Sequence, residues 1–399
     1  MPVWHKATQE WVKQGRLIVL GIAQEQHGDR CRLYAQWQKF DFPILHDPIN
    51  LIGAKVVPLM LAIDEQGIVR AVGPKLEDFE DTFLNKDFLA GKAAPPPAAK
   101  PSAPDIDALQ IKAKQSNSIE AWRSFGDGLI LWHGSDRLDE AIGAYTHSLQ
   151  IDPTDDLSQF RLGVCFLKRH ESGSRQPGDF QKAADLWGQA LETDPNQYIW
   201  RRRIQQYGPR LNKPYPFYDW MAQAQTEVKE RGEEPVAIQF PLSGSEIAQP
   251  MRKFLADSEK ASSPDPDGLL ARDTAGLIKA EAAVVPSRVR SGKSIRVHID
   301  FLPSESLEAH WNNEAEPLRI WVDLPEGWET KSLLLSAPQP EEIESIEMRH
   351  IDFGILTPEG LDPGPIQITA YALYYVCEGK NGTCQFLRKD IKIQIEIVK

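Results

Sequence analysis

The chain has 399 residues, 41% of them hydrophobic and 26% charged, with a formal net charge of −12. That length exceeds one ordinary core and implies two to three domains, and the acidic balance argues against a nucleic-acid partner, which needs clustered Lys and Arg. Four cysteines exclude a disulfide scaffold.

No stretch approaches the ~20 apolar residues that span a bilayer, and the N-terminus lacks a charged, apolar and small-residue leader pattern. The expectation is a soluble cytoplasmic protein as given, with its localisation open if the true start lies upstream. The RRR run at Arg201–Arg203 reads as a solvated helix face.

From the N-terminus, MPVWHKATQEWVKQG reads as an amphipathic helix and LIVLGIA (17–23) as a buried parallel strand. DRCRLYAQWQKF follows as a helix with Asp29 as its N-cap. FPILHD is a second strand, NLIGAK a short helix opened by Asn50, and VPLMLAID a third strand. A turn at Glu65–Gly67 leads to the strand GIVRAVG, and LEDFEDTFLNKDFL closes the unit as a helix. Strands alternating with helices predict one α/β sheet covered on both faces over residues 1–90.

Residues 91–104, within GKAAPPPAAKPSAP, are too rich in proline and alanine for a core and read as an extended spacer. Residues 105–230 read as helical and carry an internal repeat. Ala141, Tyr145, Ser148 and Pro153 stand 4, 3 and 5 residues apart, and Ala183, Trp187, Ala190 and Pro195 repeat the spacing. Trp122, Phe125 and Gly126 mark an upstream helix in the first copy, and Leu162 with Gly163 in the second. This small–aromatic–small–proline helix pair is similar to the tetratricopeptide repeat. Both copies depart from that family's spacing, at HGSDRL and at the loop ESGSRQPG.

Residues 233–399 read as an all-β sandwich. IRVHIDFLP alternates Ile295, Val297, Ile299 and Phe301 with Arg296, His298 and Asp300, and IKIQIEIV alternates isoleucines with Lys392, Gln394 and Glu396. That pattern predicts one buried and one wet face. LRIWVDLP and IQITAYALYYV add strands, and SEKASSPDPDG reads as a loop.

KVVPLMLAIDEQGIVR resembles the thioredoxin-fold segment in which a Val-Pro pair opens a strand ending in Ile-Asp before a glycine turn. The resemblance implies a cis peptide before Pro58. MPVW resembles the residues just after the CxxC helix start in TlpA-like reductases, and FPILHDPIN resembles the peroxiredoxin branch. The family's first strand and CxxC would precede Met1, so the expectation is a truncated thioredoxin-like domain that does not reduce disulfides by the family mechanism as given. The missing part is either upstream in the gene or lost.

Cys31, in the first turn of its helix beside Arg30 and Arg32, is a weak substitute nucleophile, since a helix N-terminus and neighbouring cations favour a thiolate. The plainer reading is an ordinary helix thiol. Cys165, in LGVCFLK, reads as core.

Cys377 and Cys384 flank a hairpin signal at Asn381–Gly382. A tight turn there makes the cysteines diagonal neighbours at ~7 Å, the edge of what a disulfide accepts. A looser loop opposes them directly and closes a bridge readily. Parity along the last strand places Cys384 on the wet side, with Lys392, so the pair is expected to be reachable. AHWNNEAEPLRIWVDLPEGW resembles a stretch of the N-terminal β-sandwich of thiol–disulfide interchange reductases, and the YY-C…G-x-C hairpin resembles the C-terminal sandwich of thioredoxin-like proteins with NHL repeats. The resemblance implies Cys377 and Cys384 as a redox pair. The alternative is a structural hairpin with reduced cysteines.

No HExxH, P-loop or GxGxxG motif occurs, so no cofactor and no metal is expected. The fold class expected is multidomain: truncated α/β, all-α repeat and all-β sandwich. The function expected is thiol–disulfide redox or antioxidant chemistry with a thiol partner. The alternative is a non-catalytic repeat scaffold with a peptide-binding face that Trp122, Trp132, Trp187 and Trp200 could line, although aromatic residues at helical spacing are more often core.

Overall fold

A computed structural model describes residues 2–88, 102–209, 218, 220–239, 262–379 and 383–399. The predicted spacer and the tight turn at Asn381–Gly382 lie largely or wholly outside the described residues. The protein is a mixed multidomain chain of helices and a separate β-rich region. It forms two compact units: residues 1–168, 189–201 and 219–240 in the first, and 169–188, 202–218 and 241–399 in the second.

In the first unit, helix α1 (Pro2–Lys13) turns Trp4, Thr8 and Trp11 to one side, the i, i+4, i+7 stripe of an amphipathic helix. Both indoles pack on Phe79, at 5.4 and 5.7 Å between ring centroids. Gly15, at φ 71°, ends the helix, with Arg16 N donating to Trp11 O.

Strand β1 (Gly21–Ala23), helix α2 (Gly28–Trp37) and strand β2 (Ile44–His46) form a crossover in which β1 and β2 pair in parallel. At Gly21 an added Cβ would lie 3.1 Å from the Phe42 ring and 3.2 Å from Ile44, so the close approach of the strands requires glycine there. Strands β3 (Leu61–Ile63) and β4 (Val69–Val72) pair antiparallel. The turn between them is the expected one: Asp64 accepts from Gln66 N and Ile68 N, and Gly67 takes φ 77°.

Three local expectations fail. The single predicted sheet is two separate ladders, β1–β2 and β3–β4, because no described strand pairs with both. Ile18, Leu20, Leu61 and Ile63 are accordingly exposed. NLIGAK is a turn, not a helix: Asn50 adopts φ 52° and exchanges two hydrogen bonds with Ala54, while Asp47 accepts from Leu51 N and Ile52 N. Those side-chain bonds compete with helical ones. The closing helix is reduced to one π-turn, Glu80–Leu84.

Asp29 also lies inside α2 and not at its cap, which His27 occupies; its carboxylate accepts from Arg30 N and Gln239 N. Helix α3 (Ile106–Ser116) is capped by Asp105 and α4 (Ile119–Trp132) by Ser118. Helix α5 (Leu138–Ile151) approaches α4 so closely that a Cβ on Gly126 would lie 2.8 Å from the Tyr145 ring. Tyr145 OH donates to Asp127, which also receives both bonds of an Arg161 pairing.

Helices α6 (Asp156–His170), α7 (Asp179–Thr193) and α8 (Tyr198–Gln205) complete the repeat region. Helix α9 (Trp220–Glu230) packs on α2, with Trp220 stacked on Trp37 and the Trp37 indole donating to Glu227.

The second unit holds two sheets. In one, β5 (Ile278–Val285), β7 (Ser294–Pro303), β13 (Arg349–Leu356) and β10 (Glu329–Thr330) run antiparallel in the order β10-β13-β7-β5. The other contains β11 (Leu334–Ser336), β9 (Arg319–Asp323), β14 (Gly364–Glu378), β15 (Cys384–Val398) and β6 (Arg288–Arg290), with β8 (Ala309–Asn312) paired to β14 and to β12 (Glu344–Ser345). Alternate residues of both sheets, among them Ile295, Val297, Phe301, Phe353, Tyr374, Ile393 and Ile395, share one apolar core.

The opposite face of β7 is not wet. Arg296, His298 and Asp300 are all buried. Residues 169–188 and 202–209 cover them: Gln181 exchanges hydrogen bonds with Val284 N and O, His298 Nε2 donates to Tyr207 O at 2.7 Å, and Arg175 pairs with Asp300. Burial alone would raise the Asp300 carboxyl, but His350, Arg175 and His170 hold it well below the usual carboxylate range.

Candidate functional site

The register of the 15-residue strands β14 and β15 is continuous and brings Cys377 directly opposite Cys384. Their Cα atoms lie 4.0 Å apart and the two sulfurs are bonded. Of the two geometries open to the sequence, the structure takes the directly opposed one.

The register also fixes the face. Val376 pairs with Trp311 of β8, and both belong to the apolar core. The next pair, Cys377 with His310, therefore lies on the outer face, because successive residues of a strand alternate. Cys384, Cys377 and His310 thus form a row across three neighbouring strands. The row is unequally covered: Cys384 is exposed, as parity predicted, but Cys377 is only 2% exposed, so the expectation of a reachable pair holds for one cysteine and fails for the other.

On the tip-distal side, Tyr375 stacks on Phe386 at 4.5 Å. On the β8 side, His310 Nε2 lies 3.5 Å from the Glu344 carboxylate, and its Nδ1 lies 3.3 Å from Glu308 O. A ring carrying both protons donates to both acceptors. His310 and Glu344 were not singled out from sequence. The only signal was His310 standing before Trp311 in AHWNN, and its pairing with β14 is long-range.

The other expected site residues belong to the first unit. The peptide Val57–Pro58 is cis, as expected, and a second cis bond, Val285–Pro286, was not foreseen. Cys31 sits in the first turn of α2, but burial pushes its thiol up to about 12, with Glu25 and Asp29 adding to the effect against Arg30. The thiolate expected from the helix terminus is not favoured, because desolvation outweighs the dipole. Cys165 is fully buried.

The tryptophan face of the scaffold alternative is also corrected. Trp122, Trp187 and Trp200 are core residues, and of the four only Trp132 is exposed. Nor is the RRR run wholly solvated: Arg203 is buried, its guanidinium 5.8 Å from the Trp187 ring centroid. Among the described residues, no group of three or more His, Cys, Asp or Glu is placed to hold a metal ion, and no helix is long and apolar enough to cross a membrane.

No protein-family model and no curated protein matches the chain. Solved structures give only faint likenesses. A protein that catalyses macrocyclization in alchivemycin A biosynthesis matches at 10% identity and TM-score 0.20, over 33% of this chain and 96% of its own. AggA, the major subunit of aggregative adherence fimbriae type I from Escherichia coli, matches at 12% and 0.18, over 30% and 95%. The Pseudomonas fluorescens alkylpurine DNA glycosylase AlkC matches at 10% and 0.17, over 73% and 74%. Likenesses this weak carry no functional argument.

Proposed function

We propose that this chain is a modular thiol-redox protein whose exchanging pair is Cys377 and Cys384, with a thioredoxin-like segment, tetratricopeptide-like helices and a β-sandwich joined in one polypeptide. The observation that carries the reading is the unequal exposure of the two bridged cysteine residues. An exchange disulfide needs one sulfur open to an incoming thiolate and a second that leaves in a controlled setting. Cys384 meets the first need and the covered Cys377 the second. The close Gly126–Tyr145 approach supports the helical-repeat resemblance, whereas the separation of β1–β2 from β3–β4 counts against the thioredoxin resemblance of the first segment.

The test is a redox titration of the full chain with mass-tag alkylation. Cys377 and Cys384 are expected to gain two tags together at a potential that reduced thioredoxin reaches, while Cys31 and Cys165 stay unchanged. A bridge that resists reduction below about −300 mV is a structural staple, and that result ends the exchange reading.

A further inference from the structure

We infer that His310, held by Glu344, is the cation that stabilises Cys377 as the leaving and attacking thiolate of the bridge. The inference rests on the exchange reading above and deepens it by giving the two sulfurs different roles.

The argument begins with a conflict. Cys377 is almost wholly covered, and burial opposes a thiolate because the charged form loses its hydration. Glu308, Glu344 and Glu378, on the strands and turn around the pair, oppose it further. A covered sulfur in such surroundings leaves poorly unless a positive charge stands beside it. The residue paired with Cys377 on the side away from Cys384 is His310. Residues directly opposite in an antiparallel pair have Cβ atoms about 4.5–5.5 Å apart on one face, so the imidazole and the sulfur are cross-strand neighbours.

His310 is held on both sides. Its Nε2 lies 3.5 Å from the Glu344 carboxylate, its Nδ1 3.3 Å from the Glu308 carbonyl, and its side chain is only 12% exposed. A carboxylate behind an imidazole orients the ring. Across the sheet the order is therefore Cys384, Cys377 and His310, with the Glu344 carboxylate facing the ring.

The exchange balances as follows. A partner thiolate attacks the Cys384 sulfur, the bridge breaks, and the electron pair leaves on Cys377 as a thiolate beside the His310 imidazolium. Cys384 is now joined to the partner. The partner's second thiol, losing its proton to solvent, attacks its own bridged sulfur and releases Cys384 as a thiolate that takes a proton. The bridge has gained two electrons and the partner dithiol has lost them as its own disulfide. The reverse begins with the Cys384 thiolate attacking the partner's disulfide and ends with the Cys377 thiolate attacking the Cys384 sulfur of the mixed disulfide, which re-forms the bridge and releases the partner thiolate.

Thiolate absorbance of the full chain tests this, read as the difference between Cys384→Ser and the Cys377→Ser/Cys384→Ser double variant, which isolates Cys377. Its titration is expected at least one pH unit below the ordinary ~8.5 of a free thiol. His310→Gln should raise it by at least one unit and slow reduction of the intact bridge by a small dithiol at least tenfold at neutral pH. His310→Lys, which keeps the charge, should hold the titration low. Equal titrations in parent and His310→Gln overturn the inference, as does a Lys variant that behaves like Gln. Because these proteins lack the bridge, the titration is independent of whether the native bridge exchanges. A bridge that resists reduction defeats the exchange reading alone.

Discussion

Gly126 of α4 lies under the ring of Tyr145 of α5, where an added Cβ would stand 2.8 Å from two ring atoms. The ring cannot swing aside, because its hydroxyl is tied to Asp127 and that carboxylate to Arg161. Gly126→Ala is therefore expected to destabilise the first unit by about 1–3 kcal/mol, the range of core overpacking, despite alanine's better helix propensity. Urea unfolding followed by tryptophan fluorescence measures it. A neutral or stabilising result would show that α4 and α5 separate without cost.

Acid weakens the second unit in a definite window. Burial pushes the His298 pKa down to about 4, with Arg296 adding to the effect and Asp352, Asp300 and the Tyr207 carbonyl opposing it. The folded-state value lies below the unfolded one, so above about 6.5 both states are neutral and stability is unaffected. As pH falls from 6.5 towards 4, the unfolded chain takes up a proton that the folded chain refuses, and stability drops by up to about 3 kcal/mol. His170 is lowered for the same reason and adds to the fall. His298→Gln keeps a donor for Tyr207 O but cannot titrate. Its stability should fall less steeply across that window in denaturant melts at stepped pH. Parallel curves for the two proteins would contradict the assignment.

Thiol reactivity should separate the cysteines cleanly. With its thiol pushed up to about 12, Cys31 carries almost no thiolate at pH 8, and Cys165 is fully buried. In the native chain both are expected to react with iodoacetamide at least a hundredfold more slowly than free cysteine. After mild reduction, Cys384 should be alkylated first. Peptide mapping over time reads the order, and a Cys31 that leads it would restore the helix-terminus nucleophile.

Much of the second unit was legible because its strands alternate cleanly: Ile295, Val297, Ile299 and Phe301 face the core as read. Alternation misled at Arg296, His298 and Asp300, since polar residues facing a hydrogen-bonding helical cover look the same in sequence as polar residues facing water. The cysteine bridge was readable as a possibility, but its register was not, because the turn that sets it admits more than one loop. The pairing of His310 with Cys377 was beyond reach, as it depends on a strand contact distant along the chain. In the first unit the turn at Asp64–Gly67 followed from local chemistry. The joined sheet was not legible either way, since local pattern says which residues are strands and not which strands pair.

The cover over β7 has a practical consequence. The guanidinium of Arg175 and the amide of Gln181 meet groups on β5 and β7 that are largely covered. A fragment beginning at residue 262 would retain every described strand of the second unit yet strip this lining away. Ionic groups that have balanced partners in the whole chain would then face water on one side. Such a truncated protein should express as a looser species, in which His298 is no longer buried and its share of the acid penalty shrinks.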